Sequence, residues 1–261
     1  MNQPIRFTTS PDGHLEGCRA YVTQRTGGVS PPPFASLNLG TKVGDDPLHV
    51  RQNETRILEQ LGVTAPARAS LVHGIHTAVV TGPGVVPETD ALVTNVPGLP
   101  LALTVADCYP VAVSFGSWRG LAHCGWRGVA GGIVEELLRV LRLHAEGPAR
   151  VWIGPGIGVC CYEVGTEVAV VFPHSVRLVA AHGASGEVGA GAADVGGGVG
   201  VSAEGGGVHL DLAAEIARRL ENAGVPRDGI VTSGICTACN TDVFFSHRAE
   251  GPTGRMSAYL V

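Results

Sequence analysis

The chain has 261 residues, of which 16% are charged, and its formal net charge is −5 at pH 7. It contains a single lysine, Lys42, and no run of basic residues. Because electrostatic binding to nucleic acid needs a basic face, the composition argues against DNA or RNA as a partner. The longest apolar stretches are too short to cross a bilayer, which argues against membrane insertion.

The N-terminus and the cysteines predict a cytoplasmic protein. Residues 1–11 have no apolar core and no basic leader, so they do not resemble a signal peptide. Seven cysteines, an odd number, in a large chain indicate reduced thiols and not a disulfide framework. The sequence gives no sign of an obligate protein partner.

The predicted elements begin with a strand at 19–25, followed by a stiff surface loop that contains Pro31, Pro32 and Pro33. Asp45 or Asp46 then caps a helix that ends at Gly62. Short apolar runs bounded by Gly, Pro, Asp or Asn predict a strand-rich centre. Those strands lie at 69–72, 78–81, 91–94, 101–105, 111–115 and 120–123. Later elements are helices at 128–143, 163–172 and 210–222 and strands at 151–153, 230–232 and 256–261.

Many strands with few, well-separated helices predict an α/β or α+β fold with layered sheets, not an alternating Rossmann unit. We expect one domain over 1–261. Residues 181–208 are mostly Gly, Ala, Val and Ser, with little side-chain surface to offset the entropy of ordering. We therefore expect a flexible insertion there.

Three residues predicted at strand ends can share a metal ion. They are His73, Cys108 and His123, and a His/His/Cys set is typical of a catalytic zinc with an open fourth position. Each also has an ordinary explanation, since a buried cysteine is often a small hydrophobe and a histidine often makes only a hydrogen bond. None of the compact zinc spacings is present, so residue spacing alone leaves both interpretations open.

Two further cysteine pairs carry weaker signals. Cys236 and Cys239 form a lone C-x-x-C, which could be half of a zinc knot, a redox pair or a structural feature. Cys160 and Cys161 are adjacent, and we expect adjacent cysteines to be poorly placed to chelate.

A set of motifs runs from Thr23 to Arg255, nearly the whole chain. The stretches are Thr23-x-Arg25-x-Gly27-Gly28-Val29-Ser30, 36–40, 43–46, His73-Gly74, 106–110, 123–128, 154–158, 162–165, Cys236-Thr237, 244–248 and 253–255. Together they resemble the YfiH or laccase-domain-containing family, whose members are often labelled polyphenol oxidase or purine nucleoside phosphorylase.

The resemblance implies a layered α/β/β/α sandwich similar to that of the cytotoxic necrotising deamidases, and one zinc ion on His73, Cys108 and His123. It also implies cleavage of adenosine, inosine and methylthioadenosine with phosphate as co-substrate, accompanied by adenosine deamination. Two positions depart from the family pattern. Leu71 stands where a glutamine is expected, and Cys124 stands where alanine is usual and could add a thiol ligand.

Residue roles follow from the matched motifs. Asp107 can shuttle protons or merely orient its loop, and an arginine suits bidentate phosphate contact but can also be simply solvated. The expected catalytic residues are Asp107, Cys108 and Arg127, and the expected substrate-binding residues are Arg25, Asn38, His247, Arg248 and Arg255.

Other functional classes stay open. A metal-free hydrolase or amidase could use Cys108 as nucleophile with His73 or His123 as base, acting on a small molecule or a peptidoglycan precursor. A non-catalytic protein that binds nucleosides or a partner is a third class. The sequence disfavours a copper-dependent oxidase, because it has no His-x-His pair and its methionines are Met1 and Met256.

Overall fold

Two six-stranded sheets face each other in the computed structural model, which describes residues 4–180 and 206–261. The first sheet contains, in spatial order, β1 (Phe7–Thr9), β2 (Ala20–Thr23), β14 (Met256–Leu260), β7 (Leu101–Val105), β3 (Ala67–Ala69) and β5 (Gly84–Val86). The second contains β13 (Ile230–Thr232), β10 (Arg150–Ile153), β8 (Tyr109–Phe115), β9 (Trp118–Cys124), β6 (Ala91–Thr94) and β4 (Thr77–Val79). A separate antiparallel pair joins β11 (Val176–Ala180) to β12 (Gly206–Leu210).

The described α-helices are α1 (Pro47–Leu61), α2 (Trp126–Gly131), α3 (Ile133–Arg142), α4 (Thr166–Ala169), α5 (Leu212–Asn222) and α6 (His247–Glu250). Three of them, α1, α3 and α5, cover the outer faces of the two sheets. Ile57 of α1 packs with Tyr259 on the first sheet, and α3 and α5 pack on the second. Leu103 and Leu121 belong to the apolar layer between the sheets. The predicted layered, mixed α/β fold is confirmed.

Local sequence explains where the helices begin and end. The Asp46 carboxylate accepts a hydrogen bond from the Leu48 N–H at 2.8 Å, and Gly62 ends α1 in the left-handed conformation with φ 65°. The predicted helix at 128–143 is wrong in one respect. Gly132 adopts φ 98°, a conformation that glycine reaches without steric cost, and it separates α2 from α3.

Two other predictions change at the C-terminal half. The helix expected at 163–172 is confined to α4, because Glu163 forms an antiparallel bridge with His209 and its backbone is extended. The insertion expected at 181–208 lies outside the described residues, except for 206–208, which begin β12. Among the described helices, none has both the length and the apolar character needed to span a bilayer.

Candidate metal centre

His73, Cys108 and His123 converge where the chain crosses from the first sheet to the second. One ligand atom from each lies within 4.8 Å of the other two, and the imidazole rings stand nearly perpendicular with centroids 4.9 Å apart. His123 is buried, Cys108 is half-buried and His73 is exposed, so the set is closed on one side and open on the other. These three donors fit a zinc ion with a free fourth position.

The β8–β9 hairpin places two of the three residues. Pro110 pairs with His123 in its register, which brings the residue before β8, Cys108, beside the end of β9. Side chains alternate along β9, so Ala122 and Cys124 face the helices while His123 faces the opposite way. Cys124 is fully buried in that apolar layer, and burial raises the pKa of its thiol well above the ordinary value. The Cys124 thiol therefore stands apart from the candidate metal centre.

The Asp90 carboxylate hydrogen-bonds to two parts of the candidate metal centre, a role that the sequence did not predict. Its buried carboxylate accepts a hydrogen bond from His123 Nδ1 at 2.9 Å, which leaves His123 Nε2 as the ligand atom. Burial alone would raise the pKa of Asp90, but hydrogen bonds from His123 and from the Gly74 N–H keep it below the ordinary value. A lone aspartate before a strand has no spacing signature, so nothing in the sequence marked it.

The same carboxylate shapes the loop that carries His73. It accepts hydrogen bonds from the backbone N–H groups of Val72, His73 and Gly74 at 3.2, 3.0 and 2.8 Å. His73 has φ 61°, which is uncommon for a residue with a side chain. Three hydrogen bonds to one buried acceptor stabilise that conformation and fix the direction of the imidazole.

The three candidate ligands His73, Cys108 and His123, here called the triad, also shift the pKa values of their own members. Burial raises the pKa of the Cys108 thiol, but charge and hydrogen bonding from His123 and His73 outweigh it and bring the pKa down to about 6. Burial lowers the pKa of His123, while the Cys108 thiolate and Asp90 raise it to about 9. These opposite shifts favour the thiolate–imidazolium form of the pair when no metal is bound.

Gly125 makes room for the ligands. A Cβ atom at this position would lie 3.0 Å from Cys108 Sγ and 3.2 Å from His73 Cδ2. Both distances are shorter than ordinary van der Waals contact. The absence of a side chain at Gly125 therefore lets the three candidate ligands approach one another.

The triad lies on the wall of a cavity of about 560 Å³, a size typical of small-molecule sites. Aromatic side chains of Trp126 and Tyr162 line it, together with Leu71, which stands where a polar residue was expected. Its cationic lining residues are Lys42, Arg68, Arg248 and Arg255. The cavity thus combines a candidate metal centre with positive charge and apolar surface.

Three predicted substrate-binding residues line this cavity: His247, Arg248 and Arg255. Arg255 Nη1 donates to the carbonyls of Thr253 and Gly254, both at 2.9 Å, which fixes the guanidinium. Arg248 lies 5.1 Å above the Tyr162 ring.

Arg25 and Asn38, also predicted to bind substrate, do not line the cavity. Arg25 Nη1 bonds to the carbonyl of Thr241 and pairs with Glu250 at 2.8 Å. Asn38 is fully buried, and its Oδ1 accepts from the Arg255 N–H at 2.9 Å. In the structure both residues make contacts that support the chain around the cavity.

The two remaining predicted catalytic residues also have structural contacts. Asp107 has φ 85°, and its carboxylate accepts from Thr237 Oγ1 and from the Arg248 N–H, each at 2.7 Å. These contacts favour the loop-orienting role over proton transfer. Arg127 is exposed and lies 4.4 Å above the Trp126 ring, without lining the cavity itself.

The fold and the site define a layered α/β protein with a His/His/Cys candidate metal centre in an open cavity. Residues 19–261 match the family model described as multi-copper polyphenol oxidoreductase laccase. The chain is 37% identical to "Purine nucleoside phosphorylase YlmD" of Geobacillus stearothermophilus, covering 94% of this chain and 90% of the relative. It is 33% identical to "Purine nucleoside phosphorylase YfiH" of Escherichia coli, covering 94% of each.

Solved structures agree with the sequence comparisons. The crystal structure of YlmD from Geobacillus stearothermophilus superposes with a TM-score of 0.78 at 35% identity, covering 95% of this chain and 93% of that one. The Bacillus licheniformis hypothetical protein YfiH gives a TM-score of 0.79 at 30% identity, covering 93% and 92%. The chain belongs to the YfiH/YlmD family, as its sequence motifs predicted.

Proposed function

We propose that this chain is a zinc-dependent purine nucleoside phosphorylase. It would convert adenosine, inosine and methylthioadenosine into the free base and ribose 1-phosphate, with phosphate as co-substrate. The observation that carries the proposal is that the triad, Arg248 and Arg255 all line the same cavity. The names of the relatives in Geobacillus and Escherichia support the same activity.

The cationic residues suit the second substrate. In phosphorolysis a phosphate oxygen replaces the purine nitrogen on the anomeric carbon, so an anion must be held beside the sugar. The guanidinium of the half-buried Arg255 is anchored through Nη1, and a planar guanidinium offers two parallel donors to phosphate. We assign Arg255 and Arg248 to the phosphate and the aromatic faces of Trp126 and Tyr162 to the purine.

Zinc is the metal that we propose for the triad. When bound, zinc supplies Lewis-acid activation of water or of a polar substrate group, which also suits the accompanying adenosine deamination. A blue copper site would share the His/His/Cys set but adds a weak axial ligand, commonly methionine. Met256 is buried between the sheets, where its sulfur accepts from the Phe245 N–H. Free thiols as ligands fit a cytoplasmic location.

A second candidate function rests on the acidity of Cys108. A thiol with its pKa lowered to about 6 beside His73 and His123 is also the arrangement of a cysteine hydrolase or amidase. Metal content distinguishes the zinc-dependent phosphorylase from the cysteine hydrolase. Such a hydrolase would be isolated without metal at the triad and would be alkylated rapidly at Cys108.

Product analysis tests the phosphorylase. Metal-assayed protein is incubated with inosine, with and without phosphate, while hypoxanthine and ribose 1-phosphate are measured. We expect both products in equal amounts and only with phosphate. Hypoxanthine with free ribose would indicate a hydrolase, and absence of both products at high enzyme concentration would refute the proposal.

A further inference from the structure

Four cysteine thiols meet on the surface of the protein, away from the triad. Cys160 and Cys161 lie in the turn after β10, and Cys236 and Cys239 lie in the loop after β13. The four sulfur atoms all lie within 4.8 Å of one another. Cys239 Sγ is 3.4 Å from Cys160 Sγ and 3.3 Å from Cys161 Sγ. The expectation that adjacent cysteines are poorly placed to chelate is wrong, because the turn directs both thiols toward the same point.

The backbone around these thiols is fixed by hydrogen bonds between the two segments. Gly156 and Cys236 form a parallel bridge, in which the Gly156 N–H donates to the Ile235 carbonyl and the Thr237 N–H donates to the Gly156 carbonyl. The Gly158 N–H donates to Cys236 Sγ at 3.1 Å. A backbone donor aimed at sulfur stabilises a thiolate, which is the form that binds metals.

We propose that Cys160, Cys161, Cys236 and Cys239 form a second zinc site, a structural tetrathiolate. Four sulfurs about 2.3 Å from one zinc, at the corners of a tetrahedron, would lie about 3.8 Å apart. Two separations of 3.3 and 3.4 Å and an upper limit of 4.8 Å for all the pairs bracket that value. A cluster of several irons needs more widely spaced sulfurs, so the geometry indicates a single ion. Four protein ligands leave no open position, which is the mark of a structural zinc.

The position of the site indicates what it stabilises. Its two segments lead directly into the cavity: Tyr162 follows Cys161, and Thr237 follows Cys236 and donates to Asp107. A zinc ion would join the turn after β10 to the loop after β13, adding metal–ligand bonds to a contact otherwise made by a few hydrogen bonds. The wall of the cavity that carries Tyr162 would then depend on the second metal.

Zinc counting tests this proposal without assuming any activity. Protein purified under reducing conditions should contain two zinc ions per chain, and Cys239→Ser and His73→Ala variants should each contain one. X-ray absorption at the zinc edge of the His73→Ala protein should show four sulfur ligands at about 2.3 Å and no imidazole. The Cys18→Ser variant is the matched control, because Cys18 belongs to neither cluster, and it should keep two ions.

Several results would overturn the second site. One zinc ion per wild-type chain, with all four thiols titratable by a thiol reagent, would refute it, and so would a disulfide among these cysteines. Stoichiometric iron in place of the second zinc would contradict the choice of metal. If Cys239→Ser does not fold, the wild-type zinc count still decides. A wild-type protein that contains two zinc ions but does not catalyse phosphorolysis would refute the proposed function. It would still support the second zinc site.

Discussion

Asp90 Oδ1 lies 2.9 Å from His123 Nδ1, and the same buried carboxylate accepts the N–H groups of the loop that carries His73. One side chain therefore orients two of the three candidate ligands. Such a carboxylate–histidine pair fixes the imidazole tautomer and increases its basicity toward a metal.

We predict that Asp90→Asn weakens zinc binding at the triad by about 10–100-fold, the usual effect of removing such a partner. The amide can still occupy the space, but it cannot accept from His123 and from the loop as a carboxylate does. Chelator competition measures the change in the Kd. Asp12→Asn, at an exposed carboxylate that pairs with Arg19, is the matched control and should leave the Kd unchanged. Equal affinity in Asp90→Asn and wild type would contradict the assigned role.

Substituting Gly125 by alanine should weaken the triad without unfolding the protein. The added Cβ would lie 3.0 Å from Cys108 Sγ, so at least one ligand must move from its place. Gly82→Ala is the control, since a Cβ there meets no atom within 4 Å and Gly82 has no positive φ. We expect a higher Kd for triad zinc in Gly125→Ala, unchanged zinc affinity in Gly82→Ala, and similar urea midpoints in both. A Kd for triad zinc in Gly125→Ala equal to that of wild type would contradict this steric role of Gly125.

Acidity of the metal-free triad gives a pH prediction. The pKa of Cys108 is lowered to about 6, so its thiolate stabilises the folded state above the unfolded pKa and that contribution is lost as pH falls through 6. The pKa of His123 is raised to about 9, so its contribution is present at low pH and lost as pH rises through 9. The stabilising pair therefore exists between about pH 6 and 9.

Thiol reactivity of the chelated protein checks this window. Carboxymethylation of Cys108 should rise with a midpoint near pH 6. A carboxymethylation midpoint near 9, the ordinary value for a cysteine, would contradict the predicted thiolate.

Arg255 should control the use of phosphate. A charge-assisted hydrogen bond is worth about 1.5–3 kcal/mol, so Arg255→Ala should raise the KM for phosphate by about 10–100-fold. Arg255→Lys keeps the positive charge but loses the two parallel N–H donors of the guanidinium. Its KM for phosphate should therefore lie between those of wild type and Arg255→Ala. Arg150→Ala, at an arginine next to Asp228 outside the cavity, is the control. An unchanged KM for phosphate in Arg255→Ala would place the anion elsewhere.

Local signals in the sequence predicted much of the fold. Caps and apolar spacing placed α1, and β6, β7 and β13 have the predicted bounds. The break between α2 and α3 was missed, because a helical pattern does not tell whether a glycine such as Gly132 will adopt a positive φ.

The site was predicted less evenly. Strand-end positions and family motifs pointed to His73, Cys108 and His123, which the fold brings together as candidate ligands. Asp90, a partner brought in only by the folded chain, was not identifiable in this way. Arg25 and Asn38 lie in matching motifs but hydrogen-bond to backbone groups outside the cavity lining, a distinction that residue type alone does not make.

The central claim is that phosphorolysis depends on zinc at the triad, and one paired measurement on the same samples tests it most directly. Bound zinc and ribose 1-phosphate formation from inosine are measured for wild type, His73→Ala, Cys108→Ala and the control His144→Ala, whose imidazole stacks on Trp118. The account predicts that each ligand variant loses one zinc ion and its turnover together, while His144→Ala retains both. Undiminished turnover in a ligand variant that has lost its zinc would contradict it.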